Sequence, residues 1–360
     1  MRGKYVAKRK KKRLSRRTVF LLTLNLVLAV LAGLCIFQLT QLEGLLLSQQ
    51  AAKRWRGDSE NRFAQVSVFL PVDETADEAA VDVFRGSLEQ AMTDASLEAP
   101  ENGSLWQDAW CGTATLTVTG PHGEQTVKTI GVGGDFFSFH PLWLRSGSYL
   151  TSRDYMADRV VLDEEMAWSL FGSNDVSGLE VTIGERNYLI AGVVSREDDF
   201  ASELAYTEDA GMFMSIEALR LLTEVPVDCY EIVMPDPISG FAKKTVEDGF
   251  PVGDGVVVEN SKRYSLLSLA RVLLDFGKRS MNTHAVIYPY WENAARLVED
   301  YAALLLLLAV LLAVCPVVFA IILLVRWSKK GIIAAKDRIA GAIEEKVEAK
   351  KRKNYIPGGI

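Results

Sequence analysis

The feature that most constrains this chain is an uninterrupted apolar run. Residues 301–325, YAALLLLLAVLLAVCPVVFAIILLV, carry no charge. At about 1.5 Å per helical residue they reach ~37 Å, more than the ~30 Å of a bilayer's hydrocarbon core, which predicts a transmembrane helix with some tilt. Pro316 removes one backbone donor and predicts a mild kink, and Cys315 beside it reads as a small apolar packing residue. A second run, residues 19–37 (VFLLTLNLVLAVLAGLCIF), has only Thr23 and Asn25 as polar insertions and is also long enough to span.

Charge orients the two runs. The 360-residue chain is −6 overall, yet residues 1–42 hold ten Lys/Arg and no acid, and residues 326–360 hold ten against four acids. The middle, 43–300, is left with 20 basic and 42 acidic residues, a net of −22. By the positive-inside rule both termini are cytoplasmic, so 43–300 is extracytoplasmic and the two spans form a hairpin. The expected layout is a basic cytoplasmic tail (1–17), a first span (18–42), a stalk helix (43–61), an external domain (62–289), a stalk helix (290–300), a second span (301–325) and a basic cytoplasmic tail with an amphipathic helix (326–360). Tyr288, Tyr290, Trp291 and Tyr301 are expected in an outer aromatic girdle and Trp327 in an inner one.

Other readings of the N-terminus fit less well. A cleaved signal peptide needs a small-x-small site, and none follows the first run. A lipoprotein anchor needs a small residue directly before the cysteine, but Leu34 separates Gly33 from Cys35. The cluster KRKKKR, Lys8 to Arg13, next to a span is an orientation signal that also attracts anionic lipid, rather than a nucleic-acid patch. Anionic lipid is the expected partner of both basic tails.

Between the runs the chain alternates strand and helix patterns. Residues 41–55 keep helix formers with an apolar cluster at Leu45, Leu46 and Leu47, which predicts that the first span continues outward. Before the second span, Trp291, Ala294, Ala295, Val298 and Tyr301 recur at helical spacing, with Glu292 and Arg296 placed as a surface pair four apart. Contact between the stalks is expected from Leu45, Leu46 and Leu47 against Ala294, Leu297 and Val298. Residues 62–70, 77–96 and 113–119 read as strand, helix, strand, and 229–234, 239–248 and 256–259 repeat that order. The expected fold class is α+β: two such units as a split βαβ, ferredoxin-like or porter-like core, with an inserted β-rich subdomain at about 131–222. Residues 264–276 add an apolar helix too short to span.

The stretch 131–194 carries the most specific pattern. Phe137, Leu142, Leu144 and Gly147 lead into a strand at Val160, Val161 and Leu162. A short helix with Ala167 follows and closes in Leu170, Phe171 and Gly172. Gly178 and a hairpin from Val181, Thr182 and Ile183 to Tyr188 and Val194 complete it. Asp163 is placed to cap the helix, Gly172 to stop it and Gly184 to make the hairpin turn. This stretch resembles the MacB-like periplasmic core domain of ABC transporter permeases, the MacB/FtsX-like family.

The resemblance implies a bacterial cell-membrane subunit of an exporter, in which a separate cytoplasmic ABC ATPase moves the transmembrane helices and stalks carry the movement outward. It implies a further permease-like subunit or a homodimer as partner. Members have one span before the external domain and three after it, whereas one is read here, so the last two are expected to be lacking. That difference motivates an alternative: a non-transporting, membrane-tethered sensor, adhesion or assembly module reusing the domain.

No enzymatic chemistry is expected. His122, His140 and His284 are far apart and outside any metal-binding frame, and each reads as a turn or surface residue. No phosphate-binding glycine loop ends in Lys-Ser or Lys-Thr. Glu197, Asp198 and Asp199, like Glu208 and Asp209, lack calcium-loop spacing and read as solvated loop charges. Catalytic, cofactor and metal residues are accordingly expected to be none. Cys111 and Cys229 lie one near each strand unit, and either a disulfide or two buried thiols would fit.

Overall fold

The computed structural model describes residues 15–73, 76–99, 103–151, 154, 156–206, 211–279 and 285–353. Lys8 to Arg13, Glu208, Asp209 and His284 lie outside them. The chain divides into two compact units, residues 1–38 with 305–360, and residues 39–304.

In the first unit the described residues from Arg16 onward are helical, apolar through 18–38 and 305–325 and charged beyond Arg326. Helix α1 (Arg16–Glu43) returns its two polar insertions to its own backbone. Thr23 Oγ1 donates to the Val19 carbonyl at 3.0 Å and Asn25 Nδ2 to the Leu21 carbonyl at 2.8 Å. Each side chain thus donates within its own helix, which lowers the cost of an apolar surrounding, while Asn25 Oδ1 has no hydrogen-bond partner among the described residues. Among the described residues of this unit, Ala32 and Ala309 are the buried apolar ones.

The expected first stalk helix over 43–61 is broken. α1 stops at Glu43, Leu47–Gln50 form a single tight 3-10 turn, and α2 (Ala51–Arg56) is short. Gly44 is the weak point, because a glycine has the most backbone freedom to lose in a helix. The new direction is fixed by bonds to the domain: Arg54 donates to the carbonyls of Ser138 (2.6 Å) and Phe139 (3.1 Å), and the Ala51 N–H donates to Gln65 Oε1 at 3.0 Å.

The strand and helix patterns of the domain are present. β1 (Phe63–Phe69) leads to α3 (Glu78–Asp94), which is capped by Asp77 accepting from the Ala80 N–H at 2.9 Å. α3 buries Val81, Phe84, Leu88 and Met92, the residues at one helical face. β2 (Gln107–Gly120) and β3 (Gly123–Gly134) pair along their whole lengths. α4 (Phe136–Phe139), β4 (Trp143–Gly147) and β5 (Arg159–Asp163) follow. α5 (Glu164–Phe171) starts at Asp163, whose Oδ1 accepts the Met166 N–H at 2.8 Å, and ends at Gly172 with φ +71°. β6 (Glu180–Ile183) turns at Gly184, φ +60°, into β7 (Arg186–Ser195). After α6 (Phe200–Ala205), β8 (Gly211–Ser215) and α7 (Ile216–Arg220) come β9 (Cys229–Pro235), α8 (Phe241–Gly249) and β10 (Val256–Glu259). α9 (Leu266–Leu274) and α10 (Phe276–Arg279) precede α11 (Tyr290–Lys353), one 64-residue helix that continues through Pro316 and includes the expected tail helix.

The strands form one mixed sheet, ordered β10-β1-β9-β2-β3-β8-β5-β7-β4, with β6 bonded to β2 and β7. β3–β8 and β5–β7 are parallel and the other pairs antiparallel. The expected insert is thus a continuation of the same sheet rather than a separate layer. Its first strand, β3, begins at 123, earlier than 131, because β2 is long enough to serve both halves. α3 and α8 cover one part of the sheet, where Phe84 meets Tyr230 edge-on at 5.6 Å. α5 covers the other, packing Met166 and Leu170 with Leu162, Ile190 and Met214. A third cluster joins Phe69, Phe136, Phe139 and Val233 to Trp291 at the start of α11.

Candidate functional site at the stalk junction

Residues 39–46 and 290–304 meet inside the domain unit. Leu46, Ala201, Ala294, Ala295 and Val298 form a small buried cluster, with Leu42, Leu45, Ala205, Tyr264 and Leu297 packed on it. The two alanines on α11 allow close approach, and the leucines fill the space between. Five of the six residues expected at this contact lie in the cluster. Leu47 does not: the 3-10 turn leaves it 47% exposed.

Charge fastens the same place. Arg263, 3% exposed, donates to Glu292 Oε2 at 2.6 Å and lies 3.5 Å from Glu299. Arg279 donates to Glu299 Oε2 at 2.6 Å and approaches Asp300 at 3.3 Å. Burial works against the Arg263 charge, but Glu292 and Glu299 outweigh it and hold its pKa above the ordinary value. Burial raises the Glu292 carboxyl, with Arg263 opposing. Glu292 and Arg296 are therefore not a surface pair: Glu292 is buried against Arg263, and Arg296 lies over the Tyr288 ring at 4.4 Å.

The first turn of α11 is equally embedded. Tyr288, Tyr290 and Trp291 pack into the domain core instead of forming an outer girdle, while Tyr301 is half exposed. At ~1.5 Å per residue, Trp291 stands about 15 Å before the apolar run, which keeps it inside the domain. The Trp291 ring lies 4.3 Å from that of His140, centroid to centroid. His140 is buried, contrary to expectation, with Nε2 bonded to Glu231. Ser67 Oγ donates to Glu231 at 2.6 Å and Asn260 Nδ2 to Ser67 at 2.7 Å, completing a polar chain under α11. Burial works to raise the Glu231 carboxyl, but His140, Ser67 and Gln65 bring it below its ordinary value. His122 is exposed in the β2–β3 turn, as expected.

Glu197 and Asp199 also proved structural. Asp199 caps α6, accepting the Ala201 and Ser202 N–H groups at 3.0 Å. Glu197 accepts from the hydroxyls of Tyr206 and Tyr290, whose rings stack at 4.4 Å. The loop charges are thus used by α6 and α11.

Cys111 and Cys229 face each other in register across β2 and β9 as free, buried thiols. The hydrogen bond with Cys229 favours the Cys111 thiolate, but burial together with the neighbouring Asp228 and Glu231 carboxylates outweighs it and pushes Cys111 up to about 11. Beside α2, a cleft of about 550 Å³ is lined by charges of both signs, among them Lys53, Arg62, Asp236 and Lys262. Arg62 and Lys262 both pair with Asp236, at 2.7 and 3.8 Å.

Asp163 gives the domain a pH signature. Its Oδ2 accepts from Arg196 at 2.7 Å, and burial nevertheless pushes the carboxyl up to about 6. The folded value lies above the unfolded value of about 3.9, so the folded state holds an extra proton between about pH 4 and pH 6. This group's contribution to stability therefore falls as pH rises through that window, by on the order of 2 kcal/mol. Asp163→Asn should flatten that part of the profile. Urea midpoints of both proteins across the window check it, and parallel profiles would exclude Asp163 as the source.

Residues 48–238 match the family described as the MacB-like periplasmic core domain. The chain belongs to that family, a component of ABC-type permeases. The match is wider than the 131–194 pattern and takes in β1, α3, β2 and β9. Similar solved structures include the periplasmic region of MacB from Actinobacillus actinomycetemcomitans, at 13% identity and TM-score 0.40, covering 65% of this chain and 99% of that one. The extracellular domain of the noncanonic ABC-type transporter YknZ from Gram-positive bacteria is 13% identical at TM-score 0.34, covering 63% and 100%. A domain of a putative permease from Porphyromonas gingivalis is 15% identical at TM-score 0.33, covering 59% and 97%. No curated protein matches the sequence.

Proposed function

We propose that this chain is a permease-type membrane subunit of an ABC exporter, coupling a separate cytoplasmic ATPase to its extracytoplasmic domain by movement of its stalks. The observation that carries this reading is the stalk junction: Leu45 and Leu46 packed with Ala294, Ala295 and Val298, and locked by Arg263 between Glu292 and Glu299. A membrane tether has no use for a buried charge lock on its stem, whereas a lever needs one.

In this reading the basic ends place both termini in the cytoplasm, with anionic lipid around them, and 43–300 lies outside. The strand order β10-β1-β9-β2 with α3 and α8 is read as a split βαβ, ferredoxin-like core. The cytoplasmic ABC ATPase acts with this chain and with a further permease-like subunit or a second copy. A photo-crosslinker at Ile339, on the exposed cytoplasmic part of α11, should capture an ATP-binding protein in native membranes. Repeated capture of none would sink the reading.

A further inference from the structure

Two short helices leave apolar side chains in water beside the point where α11 enters its apolar run. α9 buries Leu269 and Val272 and turns Leu266, Leu267 and Leu274 outward, at 68, 76 and 85% exposure. α10 adds Phe276 at 52%. Arg271, Asp275 and Lys278 are exposed along the same stretch, which is net basic on a domain whose sequence is strongly acidic. Exposed leucine at this density is unfavourable in water by roughly 25 cal/mol per Å² of apolar surface.

The position of these helices says what covers them. Arg279, the last residue of α10, is bonded to Glu299 and close to Asp300, and Arg296 Nη2 donates to the Arg279 carbonyl at 3.0 Å. α10 is thereby fastened to the last turn of α11 before Tyr301. At the same level Phe200 of α6 meets Tyr301 edge-on at 5.5 Å, and Leu204, one turn further along α6, is 70% exposed. Two separate elements thus present bare apolar side chains at the height of residues 299–301.

We infer that α9–α10, with Phe200 and Leu204 of α6, form a collar at the level of residues 299–301 that lies in the anionic head-group layer of the outer leaflet. An amphipathic helix with leucines outward and cations among them suits that layer, its apolar side chains reaching the acyl boundary and its cations meeting lipid phosphates. A second copy of the chain is the poorer occupant, since a two-fold contact of this stretch with itself would bring the cations of the two copies, Arg271 and Lys278, together. The inference rests on residues 301–325 crossing the membrane. It gives the domain a fixed height against the bilayer, from which stalk movement is measured.

The test uses the full chain in vesicles with Cys35 and Cys315 replaced by alanine, leaving Cys111 and Cys229 buried. Single cysteines at Leu274 (L274C), Val83 (V83C) and Val310 (V310C) carry an environment-sensitive fluorophore, and acyl-chain spin-labelled lipid is the quencher. Val83 is 74% exposed on α3 and serves as the water reference, and Val310 lies in the span. In vesicles containing phosphatidylglycerol, L274C should emit at shorter wavelength than V83C and lose severalfold intensity to the quencher. Arg271→Gln with Lys278→Gln should bring that loss down to its level in phosphatidylcholine alone. Quenching of V310C without L274C overturns the collar and leaves the span intact, while failure of both overturns both. A blue shift at L274C without lipid quenching means that protein covers the face and overturns the inference.

Discussion

Arg263→Met is expected to cost about 3–5 kcal/mol of stability, because it strands buried carboxylates whose charge it balances. Glu292 is 3% exposed and has Arg263 as its hydrogen-bonding cation at 2.6 Å. Glu299 keeps Arg279 at 2.6 Å, so the loss falls mainly on Glu292. Removing both charges tests the cause: Arg263→Met with Glu292→Met replaces the pair by apolar side chains of similar length and should recover most of the loss, since a buried ion pair and its apolar substitute are often close in stability. Urea unfolding of the full chain, followed through its tryptophan fluorescence, to which buried Trp291 beside Glu292 contributes, provides the measurement. If the single variant loses less than about 1 kcal/mol, or the double variant is worse than the single, the network is not a lock.

The polar side of this junction was illegible in the sequence, whereas its apolar side was legible. Ala294 and Val298 stand out because a helix repeats its faces every 3.6 residues and the stalk before the second span keeps that period, and Leu45 and Leu46 because they stand in an apolar cluster. Arg263 gives no such signal: it sits in SKRY, between a strand and an apolar helix, where a basic residue is normally solvated. Its burial is a property of the tertiary arrangement, which brings residue 263 to residues 292 and 299. His140 and Glu231 are the same case, 91 residues apart and brought together only by the tertiary fold. Trp291 and Tyr290 were misplaced for a related reason. An aromatic cluster before an apolar run reads as a head-group belt, and only the embedding of the first turn of α11 in the domain core distinguishes the two. The strand and helix units, Asp163 as a cap and Gly172 and Gly184 as turns were readable because each rests on local backbone chemistry. The break at Gly44 was missed because one glycine in a run of good helix formers costs only about 1 kcal/mol, a deficit that the bonds of Arg54 to the carbonyls of Ser138 and Phe139 exploit.

The stiffness of α11 leads to the largest functional effect. It is one helix from Tyr290 through the apolar run, held in the domain by Trp291, Glu292 and Glu299. If α11 is the lever proposed above, it works only while helical hydrogen bonds continue through residues 299–301, since a flexible segment absorbs displacement within a few residues. Inserting a short Gly-Ser segment between Glu299 and Tyr301 should therefore leave folding and insertion intact and abolish ATP-dependent function. Four alanines at the same place are the control: they lengthen the helix by about 6 Å and rotate it by about 40°, but keep it stiff. The alanine variant should retain part of the activity that the Gly-Ser variant loses. Complementation of a strain lacking this chain, with abundance and membrane insertion measured in parallel, separates the outcomes. Full complementation by a normally inserted Gly-Ser variant would rule out transmission through α11 and favour a tether, for which the stem's stiffness is immaterial.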